Sequence, residues 1–361
     1  MSAFDDALAA VGELDRDAEA AAAEHHDRLT KPRGSLGQLE TVGIRLAAIA
    51  GEVPPPIPRP AAVAVFAADH GVATRREGRV TPWPQEVTAQ MVANFVAGGA
   101  AINVLARQTG ATVTVIDVGV ASDLVELESA PGLRCRKVRA GTADLSVEPA
   151  MTLDDVDAAL AIGAELAREL ADRGANALVT GDMGIGNTTA SAAVIAALTG
   201  RAVAEVTGRG TGIDDDMLEY KIALIERALT RVATDADART VLAEVGGLEI
   251  AALAGFIIGG AARRLPVVVD GVISNAALLA GASLCPRVVD FVFAGHRSSE
   301  PGATAVLRHL ELEPLLDLHM RLGEGSGACL ALPILEASAR VLAEMATFDS
   351  AGVTDKDIDA I

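Results

Sequence analysis

Short apolar runs alternate with longer stretches of helical period along most of the chain. Residues 61–67, 112–118, 175–180, 266–270 and 288–293 are rich in Val, apolar throughout, and stop at glycine or a polar residue. That is the pattern of strands buried on both faces. Between and beyond them, 87–107, 153–172, 188–198, 214–232 and 274–284 carry helical patterns. In 214–232, Leu218, Ile222, Ile225, Leu229 and Val232 recur at spacings of three and four and make one apolar face, with Asp214 placed to cap its start. Strand and crossover helix in alternation predict an α/β fold with a doubly wound parallel sheet.

The ends of the chain follow a different pattern. Residues before Pro54 and after Pro301 read as helical without a strand, and 54–60 resembles a stiff proline-rich linker. The expected organisation is an α/β core over 61–300 and a small helical domain assembled from 1–60 and 301–361. The most apolar stretch, 250–262, lies between Glu249 and Arg263 and is too short to span a bilayer. Its Gly255 and Gly259 predict a buried helix that a neighbour approaches closely.

Composition narrows the function. Half of the residues are hydrophobic but only 2% are aromatic, so the core is built from Ala, Val, Leu and Ile. A net charge of −19, with no basic run to offset it, argues against nucleic acid or an anionic membrane as partner. An anionic small ligand then needs a local site of backbone N–H groups, helix N-termini or a few basic side chains. Cys135, Cys285 and Cys329 are odd in number and widely spaced, which suggests neither disulfides nor a zinc site and fits a reducing cytoplasm. Asp5 and Asp6 stand where an export signal would be basic.

In a parallel sheet, ligands bind at the carboxyl ends of the strands. Here those positions hold Asp69-His70-Gly71, Gly119, the loop 181–189, Asp270-Gly271 and Gly295-His296-Arg297-Ser298. The loop 181–189 contains Gly181, Asp182, Met183, Gly184, Gly186, Asn187 and Thr188 between a strand and a helix. It reads equally as an anion cradle at a helix N-terminus and as a tight turn capped by Thr188. It is neither a Walker loop nor a dinucleotide fingerprint. A second loop, Gly208-Arg209-Gly210-Thr211-Gly212, also precedes a helix, and Lys221 follows about two turns into that helix, off the apolar stripe. Asp214–Asp216 reads as a helix start. Glu324 stands between Gly323 and Gly325 in an otherwise helical sequence, a placement that costs helix stability. It fits a functional carboxylate and a solvated loop equally. Asp69, His70 and His296 have no diagnostic metal spacing, and hydrogen-bonded histidines at strand ends are the commoner case.

Taken in order, these segments resemble the nicotinate-nucleotide:5,6-dimethylbenzimidazole phosphoribosyltransferase family, which makes the lower-ligand nucleotide of cobalamin. The likeness runs from Leu29-Thr30-Lys31-Pro32-Arg33-Gly34-Ser35-Leu36-Gly37 through Pro84-Gln85-Glu86-Val87-Thr88-Ala89-Gln90-Met91 and both glycine loops to Arg321-Leu322-Gly323-Glu324-Gly325. The resemblance implies a Rossmann-like sheet, a small domain from both chain ends, and a cytoplasmic homodimer acting on small-molecule substrates without metal or other cofactor. By position it implies that Glu324 is the catalytic base, with Asp182 a second catalytic carboxylate. Thr81, Trp83 and Gln90 would line the benzimidazole pocket. Gly181, Met183, Gly184, Gly186, Asn187, Thr188, Gly208 to Gly212, Lys221 and Ser298 would hold the nicotinate nucleotide. Trp83 stands where members often carry another aromatic, and Asp182 where some carry Glu, so two alternatives stay open: a transferase with another acceptor base, and a silent nucleotide-binding protein.

Overall fold

The computed structural model describes residues 2–75, 79–127 and 129–355. Six strands, β1 (Ala61–Ala68), β2 (Thr112–Gly119), β3 (Leu133–Cys135), β4 (Ala177–Met183), β5 (Val267–Val269) and β6 (Val292–Ala294), form one sheet in the order β3-β2-β1-β4-β5-β6. Every pairing is parallel. Strand order therefore reverses between β1 and β4, which defines a switch point where ligands bind in such sheets. The expected doubly wound sheet is present.

The small residues of β1 explain how closely the layers pack. All eight of its residues are buried, and Phe66 meets Phe256 of the helix Leu248–Ala262 edge to face with ring centroids 5.5 Å apart. That helix lies directly on helix Leu153–Asp172: a Cβ at Gly163 would fall 1.8 Å from the Ala252 carbonyl oxygen, and one at Gly255 would fall 2.0 Å from that of Leu160. The glycines of the apolar stretch are therefore contact points between helices.

Several elements differ from the pattern reading. The expected helix over 87–107 is two helices, Val87–Val96 and Ala101–Thr109, separated at Gly98, which has φ of 78°, and Gly99. Asn103 Oδ1 accepts from the Ala100 N–H at 3.2 Å and starts the second. The run 288–293 divides into a 3-10 turn, Pro286–Phe291, and β6, because a short apolar run bounded by proline fits either state. Strand β3 has three residues, including Arg134, and no apolar run announces it. Asp214 does cap its helix, Asp215–Leu229, accepting from Met217 N.

Helices Arg16–Arg28, Gln38–Ala50 and Ser326–Glu344 pack together, and Leu29 pairs with Thr347 in a β-bridge. The other terminal helices lie on the core: Ala3–Ala10 on Leu153–Asp172 and Leu248–Ala262, and Pro301–His309 on Asn187–Thr199 and Val272–Leu284. Residues 1 and 356–361 of the expected terminal unit lie outside the described residues. Two stretches reach membrane-spanning length by composition, Val87–Thr109 and Ser326–Glu344. The first is broken at Gly98 and Gly99, and the second packs against Gln38–Ala50 and Ala101–Thr109.

Candidate active site

A cavity of about 420 Å³ opens at the carboxyl ends of β4, β5 and β6. Helices Asn187–Thr199, Val272–Leu284, Pro301–His309 and Ser326–Glu344 all begin at or beside its wall. Their first N–H groups lack intrahelical partners and carry partial positive charge, so this end of the sheet favours an anion.

Glu324 lines the cavity from a left-handed turn. Gly323, Glu324 and Gly325 have φ of 87°, 64° and 90°. Such a backbone is costly for a residue with a side chain, at about 1–3 kcal/mol. Gly181 of β4 lets the turn pass: a Cβ there would lie 2.5 Å from the Glu324 carbonyl oxygen. The Glu324 carboxylate is buried, and its Oε2 accepts from Ile102 N at 3.1 Å, at the start of helix Ala101–Thr109. Burial pushes its pKa above the usual carboxylate range, the charge of Asp270 adds to this, and the Ile102 N–H opposes it.

Other buried carboxylates crowd the same end of the sheet. Asp182 lines the cavity and its Oδ2 accepts from Asn187 Nδ2 at 3.1 Å. Burial first, then the charges of Asp270 and Glu249, raise its pKa well above the ordinary value. Behind it, His70 Nε2 and Glu249 Oε1 meet at 2.7 Å, both fully buried. Asp69 Oδ2 accepts from Ala121 N at 2.7 Å, and His296 Nε2 lies 3.4 Å from Asp270 Oδ1. His70 is thus held by a carboxylate, whereas the His296 ring lies near Asp270 without a hydrogen bond to it. Among the described residues no group of three or more His, Cys, Asp or Glu is arranged to hold a metal ion.

The residues expected to hold a nucleotide divide into two sets. Met183, Gly184, Asn187, Thr188, Gly210, Thr211 and Ser298 line the cavity; Gly181, Gly186, Gly208, Arg209, Gly212 and Lys221 do not. In the second loop, Gly210 N donates to Glu300 Oε1 at 2.9 Å and Gly212 N to the Arg209 carbonyl at 2.9 Å, so these donors are already engaged. Arg209 turns to Asp215 and the Ile213 carbonyl. Lys221 is buried behind the loops and joins them, its Nζ donating to Thr188 Oγ1 at 2.8 Å and to the Gly208 carbonyl at 3.3 Å. Burial lowers its pKa to about 8, with Glu300 pulling the other way.

On the opposite wall, Trp83 lines the mouth and is half exposed, with Val87 and Met91 beside it. Thr81 is buried beneath and its Oγ1 accepts from Trp83 N at 3.3 Å, while Gln90 is exposed on helix Val87–Val96 and does not reach the lining. Sequence reasoning missed Arg321, whose Nη1 donates to the Gly210 carbonyl at 2.8 Å and which is the one Lys or Arg among the described lining residues. It also missed Glu300 and the apolar wall of Ile185, Val272 and Ile273. Thr88 went unnoticed too: its Oγ1 accepts from Ile185 N at 3.1 Å and ties the two walls together.

A parallel α/β sheet with glycine turns, converging helix N-termini and a buried carboxylate near its switch point is suited to an anionic nucleotide. The sequence profile of a family described as phosphoribosyltransferase matches residues 11–353, and the chain belongs to that family. Its relatives specify more. A nicotinate-nucleotide–dimethylbenzimidazole phosphoribosyltransferase of Salinispora tropica is 56% identical over 360 residues, covering 96% of this chain and 98% of that protein. One of Chloroflexus aggregans is 56% identical over 357 residues, with 99% of each covered. A crystal structure of CobT from Thermus thermophilus superposes with a TM-score of 0.90 at 48% identity, covering 94% of this chain and all of that one.

Proposed function

We propose that the chain transfers the phosphoribosyl group of nicotinate mononucleotide to 5,6-dimethylbenzimidazole, giving α-ribazole 5′-phosphate and nicotinate in the nucleotide-loop branch of cobalamin biosynthesis. The observation that carries this reading is Glu324, a buried carboxylate held in a strained turn on the wall of the cavity. One ring nitrogen of the neutral base attacks C1′ of the ribose. The bond from C1′ to the pyridinium nitrogen breaks, and its electron pair neutralises that nitrogen. Positive charge grows on the benzimidazole, and the proton of its other nitrogen passes to Glu324, which burial makes a stronger base than an exposed carboxylate. Attack from the face opposite the leaving nicotinate inverts C1′, so a β-nucleotide gives an α-riboside.

The base lies against Trp83, Val87 and Met91, with Thr81 supporting Trp83, while Gln90 stays outside the lining. The phosphate is taken by the 184–188 turn, Ser298 and the Arg321 guanidinium, with Lys221 charging the loops from behind. Asp182, driven toward its protonated form, orients the nucleotide beside Asn187. The same reading gives a cytoplasmic homodimer that uses no cofactor, with a 61–300 core and a helical domain from both ends, a division favoured by the packing of Arg16–Arg28 and Gln38–Ala50 with Ser326–Glu344. The test is incubation with nicotinate mononucleotide and a panel of bases, with products identified by mass. Release of nicotinate with an α-riboside phosphate is expected; no product with any base would overturn the assignment, and preference for another base would change the acceptor.

A further inference from the structure

The turn that presents Glu324 closes locally on Gly323, whose carbonyl accepts from Ser326 N at 3.0 Å and Ser326 Oγ at 2.7 Å, but the helix that grows from it has no cap of its own. The helix that follows, Ser326–Glu344, has glycine as its N-cap and so lacks the side chain that would ordinarily accept from the second and third helical N–H groups. Those acceptors come from a different strand. Asp270, the fully buried residue after β5, accepts through Oδ1 from Gly327 N at 2.8 Å and Ala328 N at 3.0 Å, and through Oδ2 from Gly325 N at 3.2 Å. Its own backbone is fixed on both sides: its N–H donates to Thr180 Oγ1 at 3.1 Å and its carbonyl accepts from Asn275 Nδ2 at 3.3 Å. Space around it is reserved as well, since a Cβ at Gly327 would fall 2.1 Å from the His296 ring.

We propose that Asp270 is a positioning residue for Glu324, a helix cap supplied from β5 that locks the left-handed 323–325 turn and aims the Glu324 carboxylate into the cavity. The inference rests on Glu324 being the base. An acceptor on the sheet, rather than on the turn, fixes the turn relative to the nucleotide loops, which grow from the same sheet edge. Its loss frees the first turn of the helix and lets Glu324 leave its costly backbone conformation.

The experiment is a four-enzyme cycle of the parent, Asp270→Ala, Glu324→Gln and the double variant, with kcat and the KM for nicotinate mononucleotide measured for each. Asp270→Ala is expected to lower kcat by at least about tenfold with the nucleotide KM within about threefold, and the double variant to be no slower than Glu324→Gln by more than about threefold, because both changes remove one function. A purely structural role would instead move KM and multiply the two losses, which overturns the proposal. So does an Asp270→Ala enzyme as fast as the parent beside a slow Glu324→Gln, a result that leaves the base assignment standing. A Glu324→Gln enzyme as fast as the parent removes the base and the inference with it. If Asp270→Ala does not fold, Asp270→Asn, which keeps one acceptor oxygen for the helix, carries the same cycle with a smaller loss.

Discussion

Replacing Lys221 by Met keeps the length of the side chain and removes its charge, which isolates what a buried cation does behind the two loops. Lowering the Lys221 pKa from 10.5 to about 8 corresponds to a charge-burial cost of about 3 kcal/mol at neutral pH. The folded-state value lies below the unfolded one, so between pH 8 and 10.5 the unfolded chain holds the extra proton, and the parent gains stability as pH rises through that window. Lys221→Met should lose this slope. Against the cost stand the charged hydrogen bonds by which the ammonium holds Thr188 and Gly208; such a bond is worth about 1.5–3 kcal/mol, so if the loops they hold bind the nucleotide the variant should raise the KM for nicotinate mononucleotide by up to roughly 10–100-fold at pH 7. Near pH 8 a bound phosphate should draw a proton onto Lys221, well above the phosphate's own second pKa of about 6. Titration calorimetry in two buffers of different ionisation enthalpy reads that proton. An unchanged KM together with no proton uptake at pH 8 would refute the reasoning.

Glu324→Gln should lower kcat by about 10²–10⁴-fold with nucleotide affinity nearly intact. Because burial raises the pKa of Glu324 and the base must be ionised, the parent's kcat should fall on acidification through a pH above the ordinary carboxylate range, a limb that a kcat–pH profile shows and the Gln variant lacks. Asp182→Asn should gain thermal stability over the parent as pH rises: a raised carboxyl pKa contributes stability that is lost as pH climbs through the folded value, and melts of both proteins across pH test whether the gap widens. Exhaustive chelation should leave kcat unchanged, because nicotinate leaves by neutralising its own pyridinium charge; loss of activity restored by magnesium would contradict this.

The strands were legible because burial on both faces writes a continuous apolar run, as in β1 and in the buried end of β2. Strand β3 was not, since three residues with Arg134 among them carry no periodicity. The break at Gly98 and Gly99 was hidden for another reason: the apolar spacing on either side fits one long helix, and only the positive φ of Gly98 turns the chain. In the candidate site, glycine content pointed to loops that reach the cavity without separating its two uses. Gly181 and Gly184 are required by neighbouring backbone, as a Cβ at Gly184 would lie 2.4 Å from the Ala68 carbonyl, and a Cβ at Gly208 would meet the Glu300 carboxylate. Lys221 was expected off the apolar stripe; it is nevertheless buried, and its ammonium reaches Gly208 and Thr188 of the loops. Asp270 and Glu300 matter through partners distant in sequence, which local pattern does not contain.

With a net charge of −19, with Asp182, Glu300 and Glu324 on the cavity wall and Arg321 the one Lys or Arg among its described residues, a chain that acts as proposed has to attract a phosphate against its own side chains. Backbone orientation can supply attraction there. Of the four helices that begin at the cavity, Ser326–Glu344 has its N-terminus taken up by the Asp270 carboxylate, and the other three each present roughly half a positive charge. The acids are meanwhile held in reserve: Asp182 is driven toward its neutral form, Glu300 is committed to the Gly210 N–H, and Glu324 faces the N-terminus of helix Ala101–Thr109. Charge at the site is therefore set by where helices start, and overall charge says little about it. On the proposed reaction the same arrangement would keep a basic carboxylate beside an anionic substrate, because a fixed dipole can stabilise a phosphate without offering the base a mobile cation to pair with.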